Sequence, residues 1–139
     1  MSPRDTRTGS VLEDMVLPAL ARGGYEVRRQ VLVHSRPGGR RHKVDAVALR
    51  DGQQFLISLK WQQVSGTAEQ KVPFEIICLG IAVKAGPYAK AYLVLGGEGW
   101  TLRDYFFVSG GLADHLKDCA AVTILTLEGF IALANGGRL

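Results

Sequence analysis

Apolar and polar positions alternate, recur or run together in nine successive stretches of this chain. Val11, Leu12, Met15, Val16, Ala19 and Leu20 recur at three- and four-residue steps. That spacing predicts an amphipathic helix capped at Thr8 or Ser10, stopped by Gly23-Gly24 and kinked or cut short at Pro18. Residues 25–34 alternate and predict a strand, and Ser35-Arg36-Pro37-Gly38-Gly39-Arg40 predicts a turn or flexible loop. Residues 42–49 and 54–61 predict two more strands, joined through Arg50-Asp51-Gly52-Gln53, whose Asp-Gly pair is a hairpin signal.

Residues 67–83 predict a helix that is apolar nearly all round and therefore buried. Thr67 and Gln70 are spaced as a capping box, and Pro73 either perturbs that helix or starts it. Residues 91–95 predict a buried central strand, 100–115 one or two short helical pieces broken at Ser109-Gly110-Gly111, 121–125 a last strand, and 127–134 a terminal helix. The order α, β, β, β, α, β, α, β, α predicts an α/β fold with a mixed sheet flanked by helices.

Within the hairpin, strict alternation puts Lys43, Asp45, Val47 and Leu49 on one face of their strand, and Leu56, Ser58 and Lys60 on one face of theirs. A lone carboxylate and a lone ammonium in apolar strands are costly unless paired or put to use. A register that sets Asp45 beside Ser58 and Lys60 brings a carboxylate, a hydroxyl and an ammonium together. The bland alternative is a buried Asp45–Lys60 salt bridge.

Composition narrows the classes. The chain has 139 residues, 47 % of them hydrophobic, which suits one globular domain over 1–139 with residues 1–9 frayed. No apolar run approaches the ~20 residues of a membrane span, and the polar N-terminus lacks the apolar core of a signal peptide, so a cytoplasmic protein is expected. Cys78 and Cys119 lie far apart in apolar surroundings and read as buried thiols, not as a zinc site. The net charge of +4 is only mildly basic, but Arg28, Arg29, Arg36, Arg40, Arg41 and Lys43 crowd into one short stretch. That cluster is a phosphate-contact candidate if the site beside it handles nucleic acid, and a solvated face otherwise. His34 and His42, beside these basic residues, read as exposed or phosphate-contacting. Trp61 and Trp100 read as core or rim aromatics. No phosphate-loop template is present, so no nucleotide cofactor is expected.

The element order, with Glu13 in the first helix, Asp45 in the second strand and Ser58-Leu59-Lys60 in the third, resembles the PD-(D/E)XK nuclease superfamily and its restriction-endonuclease-like αβββαβ core. The resemblance implies a Mg²⁺-dependent deoxyribonuclease (Mn²⁺ able to substitute) in which Asp45 and a second acid hold the metal and Lys60 orients or activates a water. Phosphodiester cleavage needs a hydroxide-like nucleophile and neutralisation of charge growing on phosphate oxygens, which such a set supplies.

The chain departs from the pattern at Ser58, which stands where the second acid belongs. Some restriction-type members have the same Ser-x-Lys strand and take the missing carboxylate from the following helix. Glu69 and Glu75 are both candidates, and the sequence does not separate them. Glu13 would assist through a metal-bound water or a hydrogen bond, and the cluster at residues 28–43 would hold the DNA backbone with help from Gln62 and Lys71. Gln70-x-x-x-Phe74 is similar to the Gln-x-x-x-Tyr element of exonuclease-like members. The small size suggests structure-selective cutting, similar to a Holliday-junction resolvase, or restriction or phage-type processing, by a homodimer or higher homo-oligomer. The substitution at Ser58 also supports a rival reading: a catalytically inactive nucleic-acid-binding or assembly module.

Overall fold

The computed structural model describes residues 7–34, 37–38, 40–102, 105, 111–117 and 120–139. Arg36, Cys119 and the Ser109-Gly110 break lie outside them. Five strands form one sheet in the order β1 (Glu26–His34), β2 (Arg41–Arg50), β3 (Gln53–Trp61), β4 (Lys90–Gly96) and β5 (Val122–Thr126). The first three pair antiparallel, and β3, β4 and β5 run parallel. The fold is therefore the α/β mixed sheet that the element order predicts.

Helices cover both faces. On one face lie α1 (Arg7–Val11), a π-helical turn over Leu12–Val16, α2 (Leu17–Arg22) and the terminal helix α4 (Leu127–Asn135). Their Leu12, Val16, Leu20 and Phe130 pack on Ala46, Ile57, Leu59 and Val94. The long helix α3 (Ala68–Ala85) covers the other face, where Val72, Ile76 and Leu79 pack on Val47, Leu56 and Leu93. Each fully buried aliphatic side chain contributes about 1.5–3 kcal/mol.

Pro18 and Pro73 are both absorbed inside helices. Pro18 has no N–H for the carbonyl four residues back, and the helix answers by widening into a π turn just before it, with the Leu17 N–H reaching Leu12 O. Pro73 lies within α3, which starts at Ala68. The Thr67 side chain makes no capping bond, so the expected capping box does not form. In the β2–β3 connection, Asp51 and Gly52 both have positive φ (52° and 77°), the type I′ turn that the Asp-Gly pair predicts. Cys78 is buried in α3, as expected.

Strict alternation fails at one place. Gln30 has φ 53° in the middle of β1, and it lies opposite Asp45, between the pairs Arg29↔Ala46 and Val31↔Val44. The kink changes which face the strands present. Val27 packs with α2, whereas Val31 and Val33 pack on the α3 side. Likewise Ala46 and Ala48 face α2, whereas Val44 faces α3. The expectation that Lys43, Asp45, Val47 and Leu49 share a face is thus corrected, because the pleat is reset at Asp45.

A left-handed conformation costs a residue with a Cβ roughly 1–2 kcal/mol. Gln30→Gly is therefore expected to match or exceed the wild-type stability in urea unfolding, and Gln30→Val to lose about 1–2 kcal/mol, since branching at Cβ aggravates the same strain.

Candidate active site

The β2–β3 ladder ends at Ala46↔Ile57, just before Asp45. Beyond that point the Leu59 N–H is bonded instead by Asp45 Oδ2, at 2.7 Å. The two strands thus part where the kink at Gln30 resets the pleat, and a cleft of about 650 Å³ opens there. Its lining includes Glu13, Arg29, Lys43, Asp45, Ser58 and Lys60.

Five polar or charged side chains are buried among the described residues: His42, Ser58, Gln62, Glu69 and Glu75. They fall into two networks, which separates the two glutamates. In the first, Glu75 Oε1 accepts from Ser58 Oγ and from His42 Nε2, both at 2.9 Å. A carboxylate from α3 therefore stands at the serine that occupies the acid's place on β3. In the second, Glu69 accepts from Thr101 N, from Thr101 Oγ1 at 2.9 and 3.0 Å, and from Leu102 N at 3.1 Å. Those bonds tie α3 to the segment after β4.

Gln62 belongs to this second network. It donates to Gly99 O (2.8 Å) and accepts from Ala68 N (3.0 Å). Its backbone stitches the end of β3 to the end of β4, bonding Gly96 O and Gly99 N. Gly97, with φ 89°, packs so closely on the Gln62 backbone that no Cβ fits there.

Electrostatics ties Asp45, Glu75 and Lys60 together. Burial pushes the Asp45 carboxyl above its ordinary range. The Glu75 charge adds to this, and the Leu59 N–H and the Lys60 ammonium offset only part of it. Burial also acts to raise Glu75, but the His42 hydrogen bond, the Lys60 charge and the Ser58 hydroxyl outweigh it and hold the group below its ordinary range. Glu75 thus favours its ionised form, while Asp45 pays for its charge. Lys60 acts on both, yet among the described residues it forms no ion pair within 4 Å with either. The structure does not contain the Asp45–Lys60 salt bridge considered as the bland alternative.

Of the other expected site residues, Glu13 pairs with Arg29 at 3.0 Å on the rim of the cleft. Lys43 and Lys71 line the cleft with exposed side chains, and Arg28, Arg40 and Arg41 are exposed. Gln62 and Glu69 are not brought to Asp45. His42, expected to be exposed, is only 2 % accessible. It precedes buried Val44 by two positions on the reset face, and this is the signal that could have found it. Trp100 is buried and bonds Gly96 O, and Trp61 packs on the α2-side core.

Hard oxygen donors suit Mg²⁺, which is commonly held by one or two carboxylates while keeping several waters. Asp45 and Glu75 are the carboxylates that could do so: Asp45 lines the cleft, and Glu75, seated on Ser58 of the cleft wall, is close enough for its charge to act on Asp45. Among the described residues no group of three His, Cys, Asp or Glu side chains is arranged to hold a metal, so a fit rests on this pair. No helix among them is long and apolar enough to cross a membrane.

No curated protein matches the chain by sequence. Among solved structures it is similar to one described as a protein of unknown function, AF1548, with TM-score 0.51 and 18 % identity over 80 % of this chain and 54 % of that one. It spans about half the length of that protein. Protein VC1899 from Vibrio cholerae matches at TM-score 0.40 and 15 % identity, over 93 % of this chain and 32 % of that one. A sequence profile of the PD-(D/E)XK nuclease superfamily domain matches residues 4–138, nearly the whole chain. The chain belongs to the PD-(D/E)XK nuclease superfamily.

Proposed function

We propose that this protein is a metal-dependent DNA endonuclease whose site is Asp45, Glu75 and Lys60. The observation that carries the reading is the seating of Glu75 on Ser58, beside Asp45, with Lys60 bridged to neither carboxylate. Asp45 and Glu75 would hold the divalent cation, Mg²⁺ with Mn²⁺ as a substitute. The cation supplies a lowered water pKa and neutralises charge growing on the phosphate.

The chain's own residues do the rest. The Leu59 N–H fixes Asp45 by one oxygen. Lys60, whose ammonium forms no ion pair among the described residues, orients the attacking water and stabilises developing negative charge. Arg29, Lys43 and Lys71 line the cleft and hold the backbone phosphates, with the exposed Arg28, Arg40 and Arg41 extending the basic surface along β1 and β2. Glu13 holds the Arg29 guanidinium at the rim. Two copies of the chain would present two such sites to the two strands of a duplex or a junction.

A rival reading is a non-catalytic nucleic-acid-binding module, favoured by the lack of a third metal-ligating side chain beside the pair among the described residues. Incubating the protein with plasmid, branched DNA and RNA in Mg²⁺, Mn²⁺ or EDTA separates the two. The proposal expects DNA cleavage with either metal and none in EDTA. DNA retention at low salt without cleavage under any condition selects the rival.

A further inference from the structure

His42 is the least expected member of the site. Its ring is 2 % exposed and enters from β2 on the face that the kink at Gln30 creates. Nε2 lies 2.9 Å from Glu75 Oε1, so that nitrogen carries the proton and donates it to the carboxylate. Nδ1 is buried and has no hydrogen-bond partner among the described residues. An unpaired buried polar atom costs about 1–3 kcal/mol, so this ring is a poor choice for stability alone.

What the ring does is geometric. A glutamate on a helix has three rotatable side-chain bonds, and nothing in the helix itself aims it at the sheet. Two donors meeting on one oxygen, Ser58 from β3 and His42 from β2, hold Oε1 against the two strands and leave the carboxylate one orientation. A carboxylate supplied from a neighbouring helix, unlike one on the strand, needs such a clamp.

We infer that His42 is a positioning residue that, with Ser58, clamps Glu75 in the orientation in which it serves as a metal ligand beside Asp45. The inference rests on the metal-dependent reading above. The same clamp explains why a serine is useful at the place of the missing acid: its hydroxyl donates to the carboxylate that replaces it.

The test is Mn²⁺ binding by titration calorimetry on the full chain without DNA, with circular dichroism as a check on folding. Partners one step out from a metal ligand typically set affinity by about 10–100-fold. His42→Leu is expected to weaken Mn²⁺ binding by about 10-fold or more. His42→Gln, whose Nε2 can donate from nearly the same place, should stay within about 3-fold of wild type. His42→Asn places its donor too short to reach Glu75 and should lose about as much as His42→Leu; it decides the matter if the leucine variant does not fold.

Wild-type affinity in folded His42→Leu or His42→Asn overturns the inference. So does a His42→Gln protein that binds as poorly as they do. A wild type that cleaves DNA and binds Mn²⁺ while the histidine variants bind equally well removes this inference alone. A wild type that neither binds Mn²⁺ nor cleaves removes the proposed function with it.

Discussion

Asp45→Asn is expected to abolish DNA cleavage and to raise the midpoint of thermal unfolding. The carboxylate is the costly member of the site: burial and the Glu75 charge raise its pKa, so the folded state disfavours ionised Asp45. An acid whose folded pKa is raised stabilises the fold while protonated, and that stability is lost as pH rises through the folded value. At neutral pH the native protein carries this cost. Asparagine removes the charge yet can still accept the Leu59 N–H bond that Asp45 Oδ2 receives at 2.7 Å. The midpoint should rise by about 2 °C or more at neutral pH. The gain should shrink as pH falls into the ordinary aspartate range, where Asp45 is itself protonated. Activity should fall by about 10³-fold or more, since a lost charged ligand removes stabilisation of several kcal/mol in the transition state. Scanning calorimetry at two pH values, beside a cleavage assay, checks both halves. A variant that is less stable at neutral pH contradicts the account of Asp45.

Lys60→Ala carries the second large effect. The ammonium is held in a partly buried cleft, acts on both carboxylates and makes no ion pair within 4 Å among the described residues. On the proposed reading this charge acts on a substrate and does not hold the fold. Removing it should lower the cleavage rate by about 10²–10³-fold, the range for one preorganised donor at developing charge. The folded protein should survive, because no direct bridge is broken. A Lys60→Ala protein that cleaves at the wild-type rate removes Lys60 from the chemistry. One that fails to fold shows that the lysine is structural. Single-turnover cleavage with matched unfolding curves distinguishes these results.

Much of this architecture was legible from residue patterns. Period-two runs gave the strands, Asp51-Gly52 gave the hairpin, and the lone charges in apolar strands marked Asp45 and Lys60. What escaped was non-local. Gln30 gives no sign that it adopts φ 53°, since the conformation is imposed by the sheet and carries no residue preference for glutamine. Yet that one residue resets the pleat and sets His42 with Val44 on the α3 side, where Glu75 lies, rather than with Ala46 and Ala48 on the other.

The choice between Glu69 and Glu75 was closed to sequence reading for a different reason. Both sit on α3, six residues apart, hence roughly 120° apart around the helix and about 9 Å along it. Only one of them can face Ser58, and which one follows from the helix's rotation on the sheet. The buried contacts of Val72, Ile76 and Leu79 fix that rotation.

The most direct test of the account is cleavage of labelled duplex DNA at saturating Mg²⁺ by Glu75→Gln and by Glu69→Gln. The account predicts that Glu75→Gln loses about 10²-fold or more, because the amide cannot supply the missing charge. Glu69→Gln, whose bonds go to Thr101 and Leu102, should keep its rate within a few-fold while losing stability. A Glu75→Gln protein that cleaves at the wild-type rate, or no more slowly than Glu69→Gln, would contradict the placement of the second acid.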